Sequence, residues 1–76
     1  MRYPYSDEDR ILFRAIAARV REYRQQEELT QENIARKLGI LPSAYSRLEQ
    51  GKGALTTAQL VKISKYLQIP IARFFP

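Results

Sequence analysis

Cysteine and histidine are both absent from the 76-residue chain. The first absence excludes disulfides, and the two together exclude the usual zinc ligand sets. The commonest general base and the commonest nucleophile pairs are missing as well, so catalysis would have to rest on carboxylates alone. The eight acids (Asp7, Glu8, Asp9, Glu22, Glu27, Glu28, Glu32, Glu49) all have ordinary places on helix surfaces. Neither an enzyme nor a cofactor is expected, and no small-molecule effector site is evident. No apolar run approaches the roughly 20 residues that span a bilayer. The opening, MRYPYSDEDR, turns acidic soon after its start and does not resemble a secretory leader. A soluble cytoplasmic protein is expected.

Glycine and proline are sparse, three and four residues, and there are no repeats, linkers or low-complexity tracts. One domain over residues 1–76 is expected. Acids are missing from its last third: residues 50–76 carry Lys52, Lys62, Lys65 and Arg73, while residues 1–49 set nine cations against all eight acids. The resulting net charge of +5 favours polyanionic partners through counterion release. A chain this short buries roughly 60% of the surface its unfolded form exposes. With disulfides and zinc excluded, oligomerisation is the expected supplement to its stability.

What is present is helical periodicity, with no useful length of strand-like alternation. Ser6 caps a first helix whose opening acids, Asp7, Glu8 and Asp9, suit the positive end of the helix dipole. Leu12, Ile16, Val20 and Tyr23, widened by Ile11 and Phe13, form its apolar stripe as far as Glu27 or Glu28. Thr30 caps a second helix, with Leu29 and Ile34 as a hydrophobic staple, Ile34, Ala35 and Leu38 as its inner face, and Gly39 as its stop. A third runs from Pro42 to Gly51, with Leu41, Ala44, Tyr45 and Leu48 expected to pack inward. Its other face holds Ser43, Ser46, Arg47 and Gln50. Thr56 and Gln59 announce a fourth as a capping box, with Leu55 and Leu60 as a staple and Ile63, Ser64 and Leu67 following. Pro70 opens a last short turn, PIARFF. On periodicity alone, the third helix reads first as an ordinary amphipathic surface helix and only second as a reader of DNA, since most amphipathic helices read nothing.

The string LTQENIARKLGILPSAYSRLEQGKG resembles the Cro/phage-repressor (Xre-type, lambda-repressor-like) helix-turn-helix family. The likeness covers about residues 19–75 and is carried by Leu29-Thr30-Gln31-Glu32, Ala35, Leu38-Gly39, Ser46-Arg47-Leu48-Glu49 and Gly51. It implies an all-α, compact five-helix domain with the helix-turn-helix over residues 31–50 and an extended first helix. Residues 1–6 form an N-terminal extension, and the helices of residues 55–76 serve dimerisation, with Ile69, Ile71, Phe74 and Phe75 as interface candidates. The resemblance also implies a dimeric, nucleoid-associated regulator, most simply a repressor, on double-stranded DNA with two half-sites. Pro42, Ser43 and Arg47 match base-reading positions, with Ser46 on the same helix face. Gln31, Gln50 and Lys52 match phosphate contacts. Arg24 and Glu49 match a buried ion pair that ties the first helix to the reading helix.

Three departures from the family pattern stand out. Leu41 and Pro42 replace a capping hydroxyl and a frequent adenine reader, so Leu41 either touches thymine methyls or packs in the turn. Gln68 stands where glycine usually ends the fourth helix. Ile11, Leu12, Phe13 and Ile16 of the long first helix need cover, either from Phe74, Phe75 and the fourth helix or from a second copy. Arg2, Tyr3 and Tyr5 could further act as a minor-groove arm. Control of such a regulator would come from its concentration, a partner protein or autorepression; two rivals remain open at this level, a helix-turn-helix that binds protein, antitoxin- or adaptor-like, and a non-specific DNA coat.

Overall fold

Three of the helices begin with the same device, a hydroxyl followed three residues later by a side chain that reaches back. In the computed structural model, which describes residues 5–76, Ser6 caps α1 (Asp7–Gln26), Thr30 caps α2 (Gln31–Leu38) and Thr56 caps α4 (Thr57–Leu67). Each hydroxyl accepts from the third helical N–H at 3.0–3.1 Å, and Asp9, Asn33 and Gln59 accept from the cap N–H at 2.8–3.1 Å. Helix α3 (Pro42–Glu49) lacks the device. Leu41 holds its cap position without a side-chain bond, and Pro42 fills the first turn, where its missing N–H is not needed.

All four α-helices end alike. The N–H groups of Leu29, Ile40, Lys52 and Ile69 reach back to the carbonyls of Arg24, Ala35, Arg47 and Ser64 at 3.0–3.1 Å. This Schellman closure needs a left-handed residue just before the donor. Glu28 (φ 57°), Gly39 (φ 72°), Gly51 (φ 77°) and Gln68 (φ 57°) supply it. Helix α4 thus ends in the ordinary geometry although Gln68 carries a Cβ, whose crowding costs about 1–2 kcal/mol. Gly51 meets a second demand: a Cβ there would lie 2.8 Å from the Cα of Arg14. The turn after α3 therefore runs directly against the backbone of α1.

The core is assembled from one face of each element: Ile16, Ala17 and Val20 of α1, Ile34, Ala35 and Leu38 of α2, Tyr45 of α3, and Leu60, Ile63 and Leu67 of α4. Phe74, fully buried, closes it and packs edge-on to Tyr23 with ring centroids 6.0 Å apart. Phe74 belongs to a single 3-10 turn, Ile71–Phe74, so the fifth element is not an α-helix. Pro70 cannot extend an α-helical ladder backward, and the four-residue segment closes with the tighter Arg73 N–H to Pro70 carbonyl bond instead.

Two further expectations are corrected. Leu41 is 71% exposed, in the extended backbone ahead of α3 (ψ 147°), and Ala44 faces outward because Tyr45 and Glu49 take the buried side of the helix. Cover from the chain itself reaches only part of the start of α1: Ile16 is buried in the core with Phe74, whereas Ile11 and Leu12 are not. That helix is about 30 Å long, more than the molecule's 25 and 18 Å shorter dimensions. Its first turns project past the bundle, leaving Ile11 61% and Leu12 42% exposed. Phe13 is half-buried and meets Tyr5 edge-on at 4.8 Å. Arg2 and Tyr3, the rest of the possible minor-groove arm, lie outside the described residues.

The helix ends give the first prediction. Gln68→Gly should raise stability by about 0.5–1 kcal/mol, relief of left-handed crowding less the added unfolded-state entropy. In a domain of this size that is an increase of a few degrees in Tm. Gly51→Ala should lower stability by more than about 2 kcal/mol, since it adds crowding at φ 77° to a clash with Arg14. Thermal melts of the two variants check both signs.

Candidate nucleic-acid interface

Glu49 is the last residue of α3, and its side chain is 2% exposed. An unpaired carboxylate there would carry a desolvation penalty of several kcal/mol. Four bonds from three side chains meet it. Arg24 donates through Nε to Oε2 at 2.8 Å and through Nη2 to Oε1 at 2.9 Å, a two-pronged pair. The Tyr45 hydroxyl donates to Oε2 at 2.7 Å, and Gln31 Nε2 donates to Oε1 at 3.0 Å. The remaining nitrogen of Arg24, Nη1, donates to the Leu29 carbonyl at 2.5 Å. Among the described residues no buried side-chain nitrogen or oxygen lacks a partner.

The electrostatics follow from this geometry. Burial pushes the Glu49 pKa upward, but the bonds from Arg24, Tyr45 and Gln31 and the Arg24 charge outweigh it and hold the carboxyl below its ordinary range. Arg24 is raised, chiefly by its bond to Glu49. Tyr45 is raised by burial first and by Glu49 second, so its proton stays on the phenol. The cluster joins α1, α2, α3 and the turn between α1 and α2, and it fixes the pitch at which α3 meets solvent.

The outward face of α3 presents Pro42, Ser43, Ala44, Arg47 and Gln50, all exposed, with Leu41 at its edge. Ser46 is half-buried and its hydroxyl accepts from Gln50 Nε2 at 3.3 Å, so these two restrain each other. Gln31 is the first residue of α2 and borders a hollow with Gln50, Arg21 and Gln25. One amide proton of Gln31 is committed to Glu49; the other, and the backbone N–H groups of Gln31 and Glu32, remain for an anion. Lys52 is exposed on the turn after α3.

A second hollow brings Arg47 and Lys52 together with Arg10 and Arg14 of α1, around Gly51 and Gly53. Sequence reading missed these two arginines and the hydroxyl of Tyr45. A signal for the arginines was available: Arg10, Arg14, Arg21 and Gln25 recur at spacings of four, seven and four, which keeps them on one flank of a helix. The dimer candidates separate. Phe74 has no surface left to offer, Ile69 and Ile71 are half-buried against their own core, and Phe75 is 42% exposed. Lys37, Lys62, Lys65 and Tyr66 border a separate hollow of α2 and α4, with the Lys37 ammonium 4.8 Å from the Tyr66 ring centre.

Comparison with known proteins agrees with this geometry. A helix-turn-helix family model matches residues 20–74, and the chain belongs to that family, one of DNA-binding regulators. A Rhodospirillum rubrum protein described as an uncharacterized transcriptional regulator in the ATPase CF(0) region is 33% identical over 60 residues. That match covers 79% of this chain and 56% of the relative, so the chain spans about half the length of the curated relative it matches. The crystal structure of the restriction-modification controller protein C.AhdI from Aeromonas hydrophila superposes with a TM-score of 0.75 at 25% identity. It covers 83% of this chain and 96% of that one. Among the described residues no helix is long and apolar enough to cross a membrane.

Two predictions concern the buried cluster. Glu49→Ala strands the Arg24 charge and should cost about 3–5 kcal/mol, whereas Arg24→Met and Glu49→Leu together with Tyr45→Phe, which removes the phenol left without its acceptor, should restore most of that loss. Chemical denaturation of the three proteins measures the difference. The pH dependence follows from the depressed Glu49 pKa. Its contribution is complete above the unfolded carboxylate value of about 4.3 and is lost as pH falls toward the lower folded value. Glu49→Gln should be less stable at pH 7 and show a shallower loss of stability below about pH 4. Melts from pH 7 to pH 2 check the slope.

Proposed function

We propose that the chain is a dimeric, sequence-specific transcriptional regulator, acting as a repressor on an inverted-repeat operator. The observation that carries this reading is the outward face of α3. It is a two-turn helix bearing small and polar groups around Arg47, held at one pitch by the buried Glu49 cluster. Its matched family supplies the expectation of DNA as partner. The relatives supply the regulatory role: one is called a transcriptional regulator and the other a restriction-modification controller.

In this reading α3 enters the major groove. Arg47 takes the edge of a guanine, a two-pronged contact worth about 1–3 kcal/mol of discrimination. Ser43 bonds to a base with little preference, and Leu41, Pro42 and Ala44 face thymine methyls. Gln31, Gln50 and Lys52 hold phosphates on either side of the reading helix. With a single strong reader on α3, part of the specificity comes from the shape and flexibility of the operator. Dimerisation sets two such helices about 34–36 Å apart. Phe75, Leu12 and Ile11 offer the apolar surface for it; Phe74 does not.

The exposed Leu41, Pro42 and Ala44 also favour a second reading, an apolar edge on α3 that docks protein instead of DNA. Selection of random duplexes at about physiological salt separates the two. The regulator reading expects an enriched inverted repeat, and Arg47→Ala should keep its melting temperature while losing preference at one base position by roughly 10-fold or more. Folded protein that enriches nothing favours protein docking. Enrichment of a single half-site by a monomer removes the dimer from the reading.

A further inference from the structure

We propose that the first half of α1 is a second DNA-backbone contact, in which Arg10 and Arg14 hold phosphates beyond the turn that follows α3. This rests on the DNA-binding reading of α3 and extends it to an element that lies outside the stretch matched by the family model, which begins at residue 20.

Four observations converge on it. The first half of α1 brings Arg10 and Arg14 to the same hollow as Arg47 and Lys52, so four cations from two separate segments line one concave surface. The placement is rigid: Gly51 admits the backbone of Arg14 so closely that a Cβ could not fit between them, which locks α1 to the turn carrying Lys52. Both arginines are exposed, and the ion pair found among the described residues is Arg24–Glu49, so no carboxylate neutralises them at contact distance. Asp9, the nearest acid in sequence to Arg10, is half-buried and occupied by the Ser6 capping box. Asp7 remains on the Arg14 flank and weakens the local potential without closing the hollow.

The geometry suits a polyanion better than a small one. Arg10 and Arg14 stand about 6 Å apart along the helix, a span of one to two phosphates on a strand that carries one per 3.4 Å of axis. The line continues through Arg21 and Gln25 toward Gln31 and Gln50, bordering the last turn of α3. The α1 flank lies beside the reading helix, where a strand leaving the major groove would pass.

The test measures affinity for the selected operator and for an unrelated duplex as a function of salt, using the full chain and three variants: Arg10→Gln, Arg14→Gln and Lys65→Gln. Each removes one charge, and Lys65 borders the separate hollow of α2 and α4. Glutamine at residue 14 retains the aliphatic stem that packs on Gly51. Backbone contact by α1 predicts that Arg10→Gln and Arg14→Gln each reduce the slope of log K against log salt by about 0.9 per bound protomer. Affinity for operator and unrelated duplex should fall in parallel, and Lys65→Gln should leave the slope near wild type. Equal effects of all three substitutions would reduce the contribution to net charge and overturn the contact. So would unchanged slopes for both arginine variants with operator preference intact, an outcome that leaves the α3 reading standing. Loss of preference in the wild-type chain would overturn the α3 reading and this inference with it. If Arg14→Gln melts early, Arg10→Gln, whose side chain does not pack on Gly51, decides alone.

Discussion

The carboxylate of Glu49 is the constraint around which the other elements are arranged. A charge with 2% of its side chain exposed is tolerated only when donors surround it. Those donors come from the last turn of α1, the first residue of α2 and the middle of α3. Meeting that demand fixes where three helices stand relative to one another. The same atoms could be replaced by apolar packing with little loss of stability, so the polar cluster is better understood as directional than as strengthening. Apolar contacts allow a two-turn helix to rotate or slide, whereas a two-pronged pair plus a phenol and an amide does not.

That directionality matters because α3 is so short. Eight residues give two turns, and an isolated helix of that length does not persist in water. Its cap is weak, since Leu41 contributes no side-chain bond. What holds it is downstream: Tyr45 and Glu49 bury its inner edge, and Gly51 seats the following turn on Arg14. The exposed residues between these anchors contribute little to stability and are open to specialisation for a partner. Separation of roles within one helix is visible in the exposure pattern, with every buried position structural and every outward one small, polar or cationic apart from the apolar edge at its start.

Much of this was legible in the chain before any coordinates. Hydroxyl caps, staples and stops place α1, α2 and α4 because they are local, chemically specific signals. Helix starts were legible for the same reason that helix ends were less so: Glu28 and Gln68 adopt left-handed geometry without the glycine that advertises it. Leu41 and Ala44 were misplaced because apolarity and spacing report which residues prefer burial, not which find room. Leu41 caps α3 from an extended, exposed turn, and Phe74, drawn inward, belongs to a single 3-10 turn too short to have a period. The Arg24 and Glu49 positions came from family likeness, while the Tyr45 bond did not, since a tyrosine on an inward face looks like an ordinary core residue. Arg10 and Arg14 went unassigned because a count of charges says nothing of which flank of a helix borders which neighbour.

The overhang of α1 ties the remaining features together. A helix end that leaves the bundle loses tertiary support, and Ile11 and Leu12 gain nothing from facing water. Local devices must compensate: the Ser6–Asp9 box, three acids at the positive end of the dipole, and the edge-on contact of Tyr5 with Phe13. These acids oppose the arginines electrostatically, so they would be poorly chosen if attraction of anions were the sole demand on this segment. They are well chosen if the helix must first stand on its own. Ile11 and the Arg10–Arg14 flank lie on adjacent sides of the same two turns, with Leu12 on a third. A second copy covering the apolar sides would bury Ile11 and Leu12 and leave the Arg10–Arg14 flank, already seated on the turn at Gly51, open to a strand. One helix would then serve assembly and backbone contact on different sides.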